Sequence, residues 1–480
     1  MATYRDDELD RAHPLRIVLG GLASQGILRL GLRPLSEGAV AELAAPHQID
    51  PEELHRKTGG NPFYITEALA AGEDVIPATV RDAVLARAAR LGASARTVLD
   101  GVAVMTPRAE LWLLEELAGE AVGHVEECLA SGMLVTEGEA VGFRHELARL
   151  AVEEHVPPDR KRLLHERAVN ALASPPSGSP DLARLAHHAE AAGEAAAVLR
   201  FAPEAGERAA SLGAHREAAA QFARALRYGD HLTREERAQL SERRSYECYL
   251  TAQFEEAIEA RQAALEVHRR IGNRLNEGDS LRWLARLLWF AGRVPEAETA
   301  GHAAVEILEE LPPSRELAGA YAFVSQLCMS AEDAEGAVEQ GMRALELAER
   351  LDDTETMAFA LSTIGAVELL AGQHAGKEKV ERSLALALAA GLEEHVGRAY
   401  VNLGRVATRQ RRLEEAEQYV TLGMEYCADV DLDVWGLYLR SLRGRVRLAQ
   451  GDGPMLPTRS RSFSGTHGRA RLRGATPSSS

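Results

Sequence analysis

Several things are scarce in this 480-residue chain, and each scarcity excludes something. It has four cysteines, Cys128, Cys248, Cys328 and Cys427, too far apart for a metal-ligand or redox spacing. Each sits beside apolar residues in a helical pattern, so buried, reduced thiols are expected. Aromatic residues make up only 5% of the chain, which leaves a core of aliphatic side chains. No stretch approaches the roughly 18 uninterrupted apolar residues of a membrane helix. The opening MATYRDDELDRAH is charged where a signal peptide needs an apolar run. No membrane partner and a cytoplasmic location are therefore expected. Positive charge is short as well. The formal net charge is −17, whereas a nucleic-acid binder presents a basic face. No G-x-x-x-x-G-K-[ST] occurs, so the backbone cradle for phosphates and its Mg²⁺-binding hydroxyl are absent. No Ser/His/Asp or Cys/His catalytic arrangement stands out. His187 and His188 are the one close histidine pair. Neighbours on a helix point about 100° apart, so they read as inter-helix residues and not as a chelate.

What is abundant is Ala, Leu, Glu and Arg, the strong helix formers. At this length more than one core is expected. Self-similarity is conspicuous after residue 210. FEEAIEARQAAL, VPEAETAGHAAV, AEGAVEQGMRAL, HAGKEKVERSLA and LEEAEQYVTLGM begin at Phe254, Val294, Ala334, His374 and Leu413. Their fourth residues are Ala257, Ala297, Ala337, Lys377 and Ala416, and Ala218 of HREAAAQFARAL continues the column upstream. Twelve residues before them runs a second small column, Ala285, Ser325, Gly365 and Gly404. Apolar Leu284, Val324, Ile364 and Leu403 precede it, and Leu281, Tyr321, Leu361 and Tyr400 lie four residues before it. A large and a small residue on one face of a helix A, with a small residue opening a helix B, let two helices approach closely. This is the logic of the tetratricopeptide repeat, here about 40 residues long instead of about 34. Lys377 breaks the column, so looser packing is expected there. Trp283, Trp289 and Phe290 read as inter-repeat core. Stacked repeats form a superhelix with a concave face, where a protein or small-molecule inducer is expected to bind.

The first third reads differently. Ile27, Leu28, Leu30, Leu32 and Leu35 alternate as a short strand. Ser36 suits the N-cap of SEGAVAELAA, and a helix follows TGGNP from about Phe63. ATVRDAVLARAARL, SARTVLDGVAVM, AELWLLEELA and AVGHVEECLAS form four amphipathic helices. Two strands then follow, Met133–Thr136 and Val141–Phe143. Helices followed by a hairpin make a winged helix. Its would-be recognition helix holds Glu126 and Glu127 and no Lys or Arg, which argues against DNA reading. The expected fold class is thus mainly α: a partial ATPase lid over 1–75, a winged-helix-like domain over 76–170 and tetratricopeptide-like repeats over 171–452. The remainder, 453–480, carries three prolines, five arginines and no acid. It is expected to be a disordered basic tail, explained by a reading-frame change that replaces the last helix B. That loss would expose an apolar face and favour self-association.

TYRDDELDRAHPLR, LRPLS, TGGNPFYITEAL, PATVRDAVLARAARL and FRHELARLAVEE resemble the ATPase module of LuxR-type, MalT-like regulators among the signal-transduction ATPases. The resemblance spans about residues 2–450. It implies a P-loop core expected before residue 1, ATP as the cofactor of the intact family and none in this chain. DNA would be bound only through a C-terminal helix-turn-helix missing here. By the same resemblance, Thr3 or Arg5 would probe the γ-phosphate, Pro62 would approach the adenine and His145 would touch the β-phosphate. The chain would then be the sensor portion of an ATP-dependent transcriptional regulator, without hydrolysis or DNA binding of its own. A stand-alone interaction scaffold and the sensory arm of a nucleotide cyclase are the alternatives.

Overall fold

The computed structural model describes residues 32–47, 49–71, 76–106 and 108–450. The protein is mainly α, a tetratricopeptide-like stack of helix pairs preceded by smaller helices and a three-stranded sheet. It divides into two compact units, Met1–Glu310 and Leu311–Ser480.

In the first unit, Ser36 caps Glu37–Ala44 by accepting the Ala39 N–H at 3.3 Å. Asp50 caps Pro51–Thr58 in the same way. The strand expected through Leu35 is not formed over residues 32–36, and the rest of it lies outside the described residues. No strand partner runs alongside: Leu35 N–H bonds to the Gly60 C=O of a helix-end turn at 2.8 Å among the described residues, and Leu32 is almost fully exposed. Helices Ala78–Ala88 and Ala93–Val104 match their sequence patterns. The next helix starts only at Leu111, because Ala109–Glu110 (β1) is a strand. The hairpin is Leu134–Glu137 (β2) and Ala140–Phe143 (β3). β3 lies between the other two strands and is antiparallel to both. Glu127 does structural work: its Oε1 accepts the Gly92 N–H at 2.7 Å, beneath the start of Ala93–Val104. One apolar core runs on from Tyr64 to Leu240, through the sheet and into the first helix pairs.

From Leu182 onward, helices of similar length alternate with short turns. The turns share one geometry. Residues with positive φ fall at Gly193, Gly213, Ala252, Gly272, Gly292, Glu332, Asp352, Gly372, Gly391, Arg411 and Asp431. Neighbours in this series are 20 or 19 residues apart, except for two double steps. In most turns the N–H just after the left-handed residue bonds back over five residues. Examples are Gln253 to Cys248, Arg293 to Leu288, Gln373 to Glu368 and Arg412 to Ala407, all at 2.8–2.9 Å. This is the Schellman closure that satisfies carbonyls at a helix C-terminus. The double steps have their own reasons. One holds a short 3₁₀ turn, Gly229–His231, and the capping box of Thr233 with Glu236. The other would put Pro312 at the left-handed position, where its ring fixes φ near −65°.

The small column is buried as expected, with Ala218, Ala257, Ala297, Ala337 and Ala416 all at 0% exposure. Ser245 and Ser325 reach the opposite helix of their pair, donating to the carbonyls of Ala257 (2.8 Å) and Ala337 (2.6 Å). Lys377 does not loosen its repeat. The helix shifts by one residue, so that Gly376 takes the contact and Lys377 turns outward to Glu415 at 2.8 Å. A Cβ on Gly365 would lie 2.5 Å from the Gly376 carbonyl oxygen.

Two outcomes check this packing. Gly365→Ala gains about 1 kcal/mol of helix propensity, but the collision costs about 1–3 kcal/mol. A net loss of thermal stability is expected, where propensity alone would give a gain. Arg411→Gly removes a left-handed non-glycine residue (φ 60) from an exposed turn. It is expected to stabilise by about 0.5–1 kcal/mol, the relief of strain less the added chain entropy, measured as a rise in the urea midpoint.

Candidate functional site

Two places in the first unit bring chemistry together. The first is the turn after Pro51–Thr58. Gly59 and Gly60 both have positive φ, and neither tolerates a side chain. A Cβ on Gly59 would meet His145 Nδ1 at 2.8 Å, and one on Gly60 would meet the Leu35 carbonyl oxygen at 2.4 Å. His55 Nε2 also contacts that oxygen at 3.2 Å. Pro62 then opens Pro62–Ala71 as its first residue. Tyr64 stands edge-on to the His145 ring, with centroids 5.0 Å apart. His145 sits just before Glu146–His155, whose N-terminus no side chain caps. Thus Pro62 and His145, named separately in the sequence, flank one glycine turn. Thr3 and Arg5 lie outside the described residues.

His145 is held by its own helix. Arg149 is buried and donates from Nε to both Glu146 carboxylate oxygens at 2.9 and 3.0 Å. Its Nη1 donates to the Ala103 carbonyl and to Glu153, each at 2.6 Å. This fixes Glu146–His155 to Ala93–Val104. Burial works to raise the Glu153 pKa, but bonds from Lys161 and Arg149 hold it below the usual carboxylate range.

Close by, His165 and His188 meet through their Nδ1 atoms at 2.8 Å. One must donate and the other accept, so at least one is neutral. His187 stands edge-on to His165 and makes no chelate. Among the described residues no group of His, Cys, Asp and Glu could hold a metal ion. The thiols are inert by environment. Burial pushes Cys128 and Cys427 up to about 12 and Cys248 to about 11. Cys328, expected to be buried, is only partly so.

The second place is an open pocket of about 470 Å³ lined by Ala195–Ser211, His215–Leu226, Phe254–Ile271 and two helices A, Arg234–Leu250 and Arg274–Phe290. In the second unit, successive helices A pack directly on one another, and alanines such as Ala318, Ala358, Ala366 and Ala399 are fully buried there. Asn402 bonds across to Ser362 at 2.9 Å. The Arg398 guanidinium lies over Phe359 and Trp435, 4.0 and 4.8 Å from their centroids. Glu242, Tyr246 and Trp283 line the space between Arg234–Leu250 and Arg274–Phe290. Trp283 packs edge-on against Tyr246 and Tyr249 of the preceding repeat, as expected of an inter-repeat residue, but it is only partly buried. It lines the cavity, and the guanidiniums of Arg261, Arg282 and Arg286 lie 4.7–5.5 Å from its ring. Trp289 and Phe290 are packed as expected, Phe290 stacking on Phe254. Nothing in the columns of small residues announced the cavity. The signal was the change from Ala/Gly-rich to Arg/Trp/Tyr-rich helices A.

No family model matches the chain, and no curated protein is similar to it. Solved structures are. One is a signal transduction ATPase with numerous domains and a tetratricopeptide repeat sensor, from Pyrococcus horikoshii. It is 18% identical with a TM-score of 0.40, over 90% of this chain and 64% of that one. The chain thus spans less than two thirds of that protein's length. Another is a Rap protein complexed with competence and sporulation factor, 13% identical with a TM-score of 0.40, over 62% of this chain and 94% of that one. A third is aspartyl phosphate phosphatase F from Bacillus subtilis, 14% identical with a TM-score of 0.39, over 76% and 96%.

The histidine pair sets a pH dependence. Burial lowers His165 to about 4 and His188 to about 2, against an ordinary 6.5. Between these values the unfolded chain binds more protons, so the contribution is full above 6.5 and declines as pH falls. Urea midpoints are expected to fall from about pH 7 to about pH 5, and His188→Asn should flatten that slope. An unchanged slope in the variant would assign the effect to other groups.

Proposed function

We propose that the chain is the sensor portion of an ATP-dependent regulator similar to the LuxR-type signal-transduction ATPases. Its helix pairs bind an inducer or protein partner. The Gly59–Pro62 turn and His145 touch the phosphates of ATP themselves, weakly in this chain alone and tightly beside an ATPase core. The observation that supports this is the contact of the glycine turn with His145. A bare-backbone turn, an imidazole and an uncapped helix N-terminus together offer what a phosphate needs, namely close approach, a donor and the positive end of a helix dipole. Pro62 begins the helix whose Tyr64 packs on that imidazole, and it would border the base. Thr3 and Arg5 are assigned to the γ-phosphate by resemblance alone. ATP is the cofactor of the whole regulator, and DNA would be reached through a separate helix-turn-helix.

Catalysis is not assigned to this chain. Its sequence has no phosphate loop, and phosphoryl transfer depends on that electrostatic cradle. The cavity favours a second reading, a repeat scaffold that binds its ligand without nucleotide.

The test is direct. The purified chain should release no phosphate from ATP above background. ATP at millimolar concentration should shift the imidazole resonance of His145 and leave that of His302 unmoved. Steady turnover that His145→Ala abolishes would overturn the non-catalytic assignment. A His145 resonance indifferent to ATP would favour the scaffold.

A further inference from the structure

The cavity between Arg234–Leu250 and Arg274–Phe290 has a charge pattern that selects among ligands. Its lining carries four carboxylates, Glu207, Glu242, Glu247 and Asp279, against two guanidiniums, Arg243 and Arg261. Arg282 and Arg286, against the lining Trp283, bring the local guanidiniums to four, so the pocket is balanced in charge and suits a ligand that carries both signs. The carboxylates are nevertheless mostly engaged. Glu207 pairs with Arg243 at 2.6 Å, Glu247 with His215 at 2.7 Å, and Asp279 with Arg282 at 2.6 Å. Glu242 accepts from His268 at 2.9 Å and from Ser280 at 3.3 Å.

Arg261 is the exception. It is 3% exposed, yet its nearest carboxylate oxygen is Glu242 Oε1, 3.6 Å from Nη1. Its hydrogen bonds go to neutral oxygens, Nε to the Ser245 hydroxyl at 3.4 Å and Nη2 to the Glu242 carbonyl at 3.2 Å. A buried guanidinium without a carboxylate in hydrogen-bond contact is costly, and burial lowers its pKa. A ligand carboxylate at Nη1 would relieve that cost with a charge-assisted bond. The carboxylates of Glu207, Glu242 and Asp279 would in turn hold a ligand ammonium. The outer pair Glu207–Arg243 is half exposed and contributes little by itself, so it can open for that ammonium. Tyr246 and Phe222 provide apolar walls. The volume falls within the range of small-ligand pockets, and the pocket is open to solvent on one side.

We infer that this cavity binds a short free peptide, its α-carboxylate on Arg261 and its amino group among Glu207, Glu242 and Asp279. This deepens the sensor reading above and rests on it for the term inducer. Its test is independent of nucleotide.

The probe is a tripeptide library with each common amino acid fixed in turn at each position, read by thermal shift of the full chain without ATP. At least one fixed subset should raise the melting temperature. The same subset with an amidated C-terminus, or with an acetylated N-terminus, should bind at least about tenfold more weakly, the worth of one charge-assisted bond. Arg261→Gln should lose the preference for the free carboxylate, and its own melt reports whether it folds. The blocked libraries test the wild-type chain and so do not depend on that variant. No shift from any subset, or equal shifts from free and blocked peptides, would overturn the inference. A His145 response to ATP alongside either result would leave the sensor reading standing without it.

Discussion

Gly365 and Gly376 bring two helix backbones so close that neither position has room for a methyl group. The same constraint is met elsewhere in the array by alanine on helix B, and twice by a serine on helix A that bonds to the facing carbonyl. It sets the spacing within each pair, and the spacing sets what the turns must do. A left-handed residue and a five-residue return bond recur every 20 residues or so, because two helices held this near can be joined in few ways. Where proline occupies the left-handed register, at Pro312, the turn takes another form.

Successive helices A of the second unit pack on one another, with Ala318, Ala358 and Ala399 fully buried. In the first unit Tyr246 and Trp283, with charged neighbours, line an open pocket instead. The pocket lining can thus vary without disturbing the small residues that hold each pair. The first part of the chain uses a different device. There a glycine turn leaves its backbone open beside a histidine, which a buried arginine network keeps in position.

Much of this was legible in the sequence, and the reasons differ by element. Ala257, Ala297, Ala337 and Ala416 kept phase, so pairing and register could be read directly. The column failed at Lys377 because a helix can shift by one residue when a glycine precedes the expected position. β1 was unreadable, since the two residues Ala109–Glu110 show no alternation. The strand sought through Leu35 needed a partner that residues 32–36 do not have among the described residues. Pro62 and His145 were named singly, but the glycine turn that joins them depends on tertiary contact over more than 80 positions. The cavity was hidden for a related reason: periodicity reports what is buried, and Arg261 with its displaced carboxylate partner follows no period.

The central claim is that successive helices A of the second unit pack on one another while Arg234–Leu250 and Arg274–Phe290 stand apart around an open pocket. Amide hydrogen exchange on the whole chain tests it most directly. The amides of Thr354–Leu370 should exchange markedly more slowly than those of Arg274–Phe290, helices of equal length. Equal protection, or faster exchange in Thr354–Leu370, would contradict it.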